Sequence, residues 1–92
     1  MTDRTQDKRI EFSPIFAKLL ERAPTRIKKA LDDALDLFEE DPNHPALRNH
    51  PLTGTYAGLR SIDVTEDWRA LYREEKERLM FADLGTHEEL YG

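Results

Sequence analysis

Three short runs in the second half of the chain, 59–64, 68–74 and 78–84, read as β-strands. Only Thr65-Glu66-Asp67 and Glu75-Lys76-Glu77 separate them. Turns this short join antiparallel neighbours and leave no room for a crossover, so the runs must form a meander. In the first run Arg60, Ile62 and Val64 share one face, and Leu59, Ser61 and Asp63 the other. In the second, Trp68, Ala70 and Tyr72 oppose Arg69, Leu71 and Arg73. The third run stops at Gly85, and the tail behind it carries Thr86, His87 and Tyr91, with 86–91 expected to make one closing helical turn.

The first half supplies packing for that sheet. Arg9-Ile10-Glu11-Phe12 alternates and reads as a short first strand. Ser13-Pro14 is a helix start, because a serine hydroxyl caps free N–H groups and proline fits the first helical position. Ile15, Phe16, Leu19, Leu20 and Ala23 then fall on one helical face until Pro24 ends the helix and opens the next. The second helix is expected over 24–40, with Ile27, Leu31, Ala34, Leu35 and Phe38 as its apolar stripe. Its charges oppose its dipole: Arg26, Lys28 and Lys29 stand near the start, and Asp36, Glu39 and Glu40 near the end. Each misplaced charge costs from tenths of a kcal/mol to about 1 kcal/mol, so packing must hold this helix. Asp41-Pro42 stops it, and a long loop, 43–58, follows with His44, His50, two prolines and two glycines. The order β-α-α-β-β-β predicts an α+β fold, with an antiparallel sheet on two helices.

Ninety-two residues make one domain, 1–92, with a polar segment 1–8 expected to fray. No run of about 18 apolar residues exists, so no membrane span is expected. MTDRTQDKR has no apolar segment and does not read as a secretory signal. Cysteine is absent, which excludes disulfides and thiolate metal sites and favours the cytoplasm. The net charge of −5 divides unevenly, with +4 over residues 1–30 and −9 over 31–92. Nucleic-acid binders carry a basic balance as a rule, so any RNA contact here must use a local patch.

Few groups are positioned for chemistry. His44 sits in a polar loop and reads as a surface residue, and His50 precedes a Pro-Leu-Thr-Gly turn that fixes its direction. His87 follows Gly-Thr at the end of the last strand. Taken singly, each histidine reads first as a hydrogen-bonded structural group. Trp68 reads as a core or rim anchor and Asp67 as a turn cap, while Arg60 and Arg69 have acidic neighbours with which to pair. No zinc, phosphate-loop, dinucleotide or serine-hydrolase motif is present, so neither a metal nor a cofactor is expected.

A set of motifs nevertheless spans nearly the whole chain: His50-Pro51-Leu52-Thr53-Gly54, Gly58-Leu59-Arg60-Ser61-Ile62, Asp67-Trp68-Arg69 with Leu71-Tyr72-Arg73, and Gly85-Thr86-His87-Glu88-Glu89-Leu90-Tyr91. Together they resemble the RelE/YafQ family of bacterial toxins from type II toxin–antitoxin pairs. The resemblance implies a small microbial RNase-like fold, metal-independent cleavage of mRNA in the ribosomal A site, and a protein antitoxin as partner. It implies His50 as candidate base, His87 as candidate acid and Asp67 as the corner aspartate of the catalytic set. It also implies Tyr91 as a substrate-contacting aromatic and Arg69 as a phosphate contact, with Arg60 and Trp68 beside them as substrate-binding candidates. Imidazole titrates near pH 6.5 in model peptides, which suits both proton transfers. Two positions depart from the YafQ pattern: Asp63 stands where relatives carry histidine, and Asp83 where they carry a last-strand arginine. A carboxylate repels phosphate, so the alternative reading is a catalytically inactive module of the same fold, engaging an antitoxin or another target such as gyrase.

Overall fold

The computed structural model describes residues 8–91. The expected fraying of 1–8 therefore lies outside the described residues for all but Lys8, whose ammonium is held 3.0 Å from the Glu74 carboxylate. The elements are β1 (Arg9–Phe12), α1 (Pro14–Arg22), α2 (Thr25–Glu40), β2 (His50–Pro51), β3 (Arg60–Asp63), β4 (Trp68–Glu74), β5 (Arg78–Thr86) and α3 (His87–Tyr91). Two 3-10 turns, Pro45–Leu47 and Gly54–Tyr56, occupy the long loop around β2.

Local chemistry sets the helix ends. Ser13 Oγ accepts the Phe16 N–H at 3.0 Å, with Pro14 in the first helical turn. Among the described residues no side chain caps the start of α2. It is held instead by Ile27, Leu31, Ala34 and Phe38, all buried, as its stripe requires. Lys29 and Asp33 pair across one turn at 2.9 Å.

The five strands lie in the order β1-β5-β4-β3-β2. The expected α+β meander is present in β3, β4 and β5, but the sheet is mixed rather than wholly antiparallel. β1 runs parallel to β5, from Arg9 beside Arg78 to Phe12 beside Phe81. The meander leaves one edge of β5 unpaired and β1 fills it in the parallel sense, the two helices carrying the chain from β1 toward the opposite edge of the sheet. Glu11 and Arg78 bridge the two strands at 3.0 Å. Arg9 and then Arg78 hold the Glu11 carboxyl below its ordinary value by hydrogen bonding.

Between β4 and β5, Leu71 pairs with Asp83 but Tyr72 with Phe81. Ala82 is the extra residue of a β-bulge, and it reverses the alternation along β5. Leu79 and Phe81 before the bulge and Leu84 beyond it all reach the same core. That core also holds Phe16, Leu31, Phe38, Ile62, Ala70 and Tyr72. It lies between the helices and one face of the sheet. The Phe81 ring is its centre, with the rings of Tyr72, Phe16, Phe38 and Phe12 at centroid distances of 5.2, 5.6, 5.7 and 6.2 Å. Ser61, Asp63, Arg69 and Leu71 point to the opposite face, as strand parity requires.

Candidate active site

That second face carries a cleft of about 320 Å³ lined by Arg48, His50, Leu52, Ser61, Arg69, His87 and Tyr91. Loop, sheet and tail each contribute, so residues up to 43 positions apart in sequence meet here.

The loop histidine is fixed from two directions. His50 lies in β2 and pairs with Ser61 of β3, which ties it to the rigid meander. Its Nδ1 lies 2.7 Å from the Arg48 carbonyl oxygen. A carbonyl only accepts, so Nδ1 carries the hydrogen and Nε2 of the neutral ring carries the lone pair. Asn49, between them, pins the loop to the core side of the sheet. Its Nδ2 donates to the Pro42 carbonyl at 3.0 Å and to the Tyr72 hydroxyl at 2.8 Å, and its Oδ1 accepts from Arg60 Nε at 2.8 Å. Burial pushes the Tyr72 phenol up, which keeps this network neutral at the tyrosine.

The tail histidine is placed by α3. Thr86 Oγ1 accepts the Glu89 N–H at 3.0 Å, and Glu89 Oε1 accepts the Thr86 N–H at 2.8 Å. This reciprocal pair is a capping box, built from the Thr-x-x-Glu spacing. The His87 N–H donates to the Asp67 carbonyl at 2.8 Å, which ties the tail to the β3–β4 turn. The His87 ring packs on Tyr91 at 4.8 Å, and Tyr91 meets Tyr56 edge-on at 5.8 Å. Tyr56 in turn donates from its hydroxyl to the Leu90 carbonyl at 2.9 Å.

The floor is charged. Asp63 stands between two arginines, with Arg69 Nε 3.1 Å from one carboxylate oxygen and Arg48 Nε 3.1 Å from the other. Both contacts are ionic rather than well-aligned hydrogen bonds, and Asp63 Oδ1 receives none among the described residues. Arg69 Nη1 is committed elsewhere, donating to the carbonyls of Thr65, Glu66 and Trp68 at 3.0, 2.9 and 3.1 Å. Arg69 thus clamps the β3–β4 turn while placing its charge at the cleft floor. Ser61 Oγ is buried and has no hydrogen-bond partner among the described residues.

Of the residues singled out from sequence, His50, His87, Arg69 and Tyr91 share the cleft. Asp67, Arg60 and Trp68 are not among its lining. Asp67 is exposed at the turn and reaches His87 through its backbone carbonyl. Arg60 shares the core face with Ile62 and anchors the His50 loop through Asn49. Trp68 packs against the core. Asp83 does not enter the cleft; its carboxylate accepts the Leu84 N–H at 2.9 Å. Sequence reading passed over Arg48, Leu52 and Ser61. Arg48 had one available signal, being a cation two residues before the loop histidine. A larger groove of about 400 Å³ lies over α2 and β1, but Asp32, Asp36 and Glu39 line it and would repel a polyanion. Among the described residues no three His, Asp or Glu side chains gather as metal ligands would.

A family model described as "Bacterial toxin of type II toxin-antitoxin system, YafQ" matches residues 8–92. The chain belongs to the YafQ toxin family. It is similar to the mRNA interferase toxin YafQ of Escherichia coli K12, with 38% identity over 90% of this chain and 95% of that protein. The crystal structure of YafQ from E. coli BL21(DE3) superposes with a TM-score of 0.78 at 28% identity, over 92% of this chain and 99% of that one. YafQ in the E. coli DinJ–YafQ toxin–antitoxin complex gives 0.76 at 28% identity, over 94% and 99%. Both depart from this chain at most positions, so the shared YafQ architecture rests on the patterning of core and turns rather than on overall identity.

Proposed function

We propose that this YafQ-family toxin is an mRNA interferase that cuts mRNA on the ribosome by general acid–base catalysis. The observation that carries the reading is the convergence of His50 and His87, from a mid-chain loop and the C-terminal helix, on one cleft with arginine at its floor. Its relatives' activity supports the same conclusion. His50 Nε2 takes the proton of a ribose 2′-OH, and the oxygen attacks the adjacent phosphorus. His87 gives a proton to the departing 5′-oxygen, leaving a 2′,3′-cyclic phosphate and a 5′-hydroxyl end. Proton inventory balances, since one imidazole gains what the other loses. The Arg69 charge offsets the second negative charge of the phosphorane, and Tyr91 offers a ring face for a base to stack on. Asp67 acts from the turn that holds His87.

A protein antitoxin is the partner that silences the toxin, a reading supported by the DinJ–YafQ toxin–antitoxin complex of its relative. A ribosome-bound target places the protein in the cytoplasm, and no described helix is long and apolar enough to cross a membrane.

Purified protein added to ribosomes translating a defined mRNA tests the reading. New mRNA ends bearing 5′-hydroxyl groups are expected, with His50→Ala and His87→Ala each slower by at least about 10²-fold. Intact mRNA with the wild type, or undiminished cutting by His87→Ala, overturns it.

A further inference from the structure

The cleft contains two arginines, and their hydrogen-bonding capacity is spent very differently. Arg69 is 11% exposed, with Nη1 shared among three turn carbonyls and Nε against Asp63. The Arg48 side chain is 71% exposed, and among the described residues its one ion pair is with Asp63, through Nε. Its two Nη groups have no partner among the described residues, so a planar pair of donors faces the cleft unused.

Backbone conformation marks the same residue. Arg48 has φ 47° and ψ 44° and is the one non-glycine residue with positive φ among those described. A side chain in the left-handed region is disfavoured, and such conformations concentrate where function over-determines the chain. This conformation turns the Arg48 carbonyl to His50 Nδ1 while its side chain reaches Asp63. One residue thus sets the tautomer of the proposed base and carries a cation beside it.

We infer that the Arg48 guanidinium, held in place by Asp63, is the cation that takes the scissile phosphate. Asp63 is a positioning residue: it fixes Arg48 Nε and leaves the Nη pair free for two phosphate oxygens in the bidentate geometry that guanidinium favours. Asp63 itself is absent from the cleft lining, which both of its arginine partners share. Asp63 is neutralised by two arginines, and the group presented outward is the arginine. The inference rests on the nuclease reading and adds to it the identity of the phosphate contact.

Arg48→Gly tests it, because glycine accepts the left-handed backbone and retains the carbonyl that orients His50. The guanidinium holds the phosphate in the ground state and the more highly charged phosphorane more strongly still, so KM should rise and kcat should fall further. Cleavage on ribosomes should slow by about 10²-fold or more with an unchanged melting temperature. Arg48→Lys should recover part of it, since ammonium restores charge but not the planar fork. Asp63→Asn should slow the wild type more than it slows Arg48→Gly, because only the share that acts through Arg69 remains in the double variant. A merely structural Asp63 would give additive losses and overturn the positioning role. Wild-type rates from Arg48→Gly overturn the whole inference. Should the wild type itself leave mRNA intact, the nuclease reading falls separately. Ribosomes carrying mRNA with a 2′-deoxy nucleotide at the A-site target then decide the phosphate contact: equal binding of wild type and Arg48→Gly rejects it, and weaker binding of the variant sustains it.

Discussion

Arg60, Arg69 and Arg48 bring one side-chain chemistry to three different tasks, and the backbone decides which. Arg60 is on the core face of β3 and ties down a loop. Arg69, on the other face, braces a turn from below. Arg48, outside the strands, keeps most of its surface in solvent. Strand parity made the first two faces readable from sequence, but hydrogen-bond commitments depend on where loop carbonyls fall, and no period encodes that. Ser61 poses the converse case. Its hydroxyl is buried without a partner among the described residues, and an unsatisfied buried group costs about 1–3 kcal/mol. Ser61→Ala removes that group with almost no change in volume. Its urea midpoint should therefore stay level or rise, by up to about 1 kcal/mol in stability. A clear fall would mean that the hydroxyl is bonded in solution.

At the scale of elements, the site depends most on α3, which has five residues and too few internal hydrogen bonds to stand alone. The capping box of Thr86 and Glu89 and the seat against Gly85 hold it. A Cβ at Gly85 would come within 3.2 Å of Glu89 Oε1 and 3.4 Å of Leu90 Cγ, so the glycine allows the helix to sit down on β5. Thr86→Ala should cost about 0.5–2 kcal/mol, the range for losing a cap. Because His87 is the next residue, cleavage should fall further than global stability does, and amide exchange should quicken in α3 first. Thr86→Ser, which keeps the hydroxyl, should restore both; a uniform loss of stability with normal cleavage would detach α3 from the site. The Thr-x-x-Glu spacing was open to reading in sequence, as were the Ser13-Pro14 start and the α2 stripe, since each is written in neighbouring residues. β2 was not: two residues, His50–Pro51, have no periodicity, and their pairing is imposed by Asn49 and β3. The parallel sense of β1 was hidden for a related reason, because four alternating residues fix a face but not a neighbour.

Across the whole molecule, the sheet separates stability from chemistry. Phe81 and its ring partners lie on the helix side, while His50, His87, Arg48 and Arg69 lie on the other. A protein of this size holds only about 5–15 kcal/mol in reserve, so the core cannot absorb many losses. Phe81→Leu keeps an apolar side chain but removes the ring that meets four others, each such contact being worth about 0.5–1.5 kcal/mol. A net loss of about 1–2 kcal/mol is expected after repacking, and a domain of this length then melts about 4–16 °C lower. If the sheet acts as a rigid partition, the folded variant at low temperature should still cut mRNA within about twofold of the wild-type rate, as independent sites do. Ala82 is the place where this separation is weakest, because the bulge shares its register between Phe81 on one face and Asp83 on the other. Movement of Phe81 transmitted through that bulge would shift β5 and carry His87 with it. Cleavage falling tenfold or more in fully folded Phe81→Leu would therefore show that the core sets the position of the tail histidine, and that the two faces work as one unit.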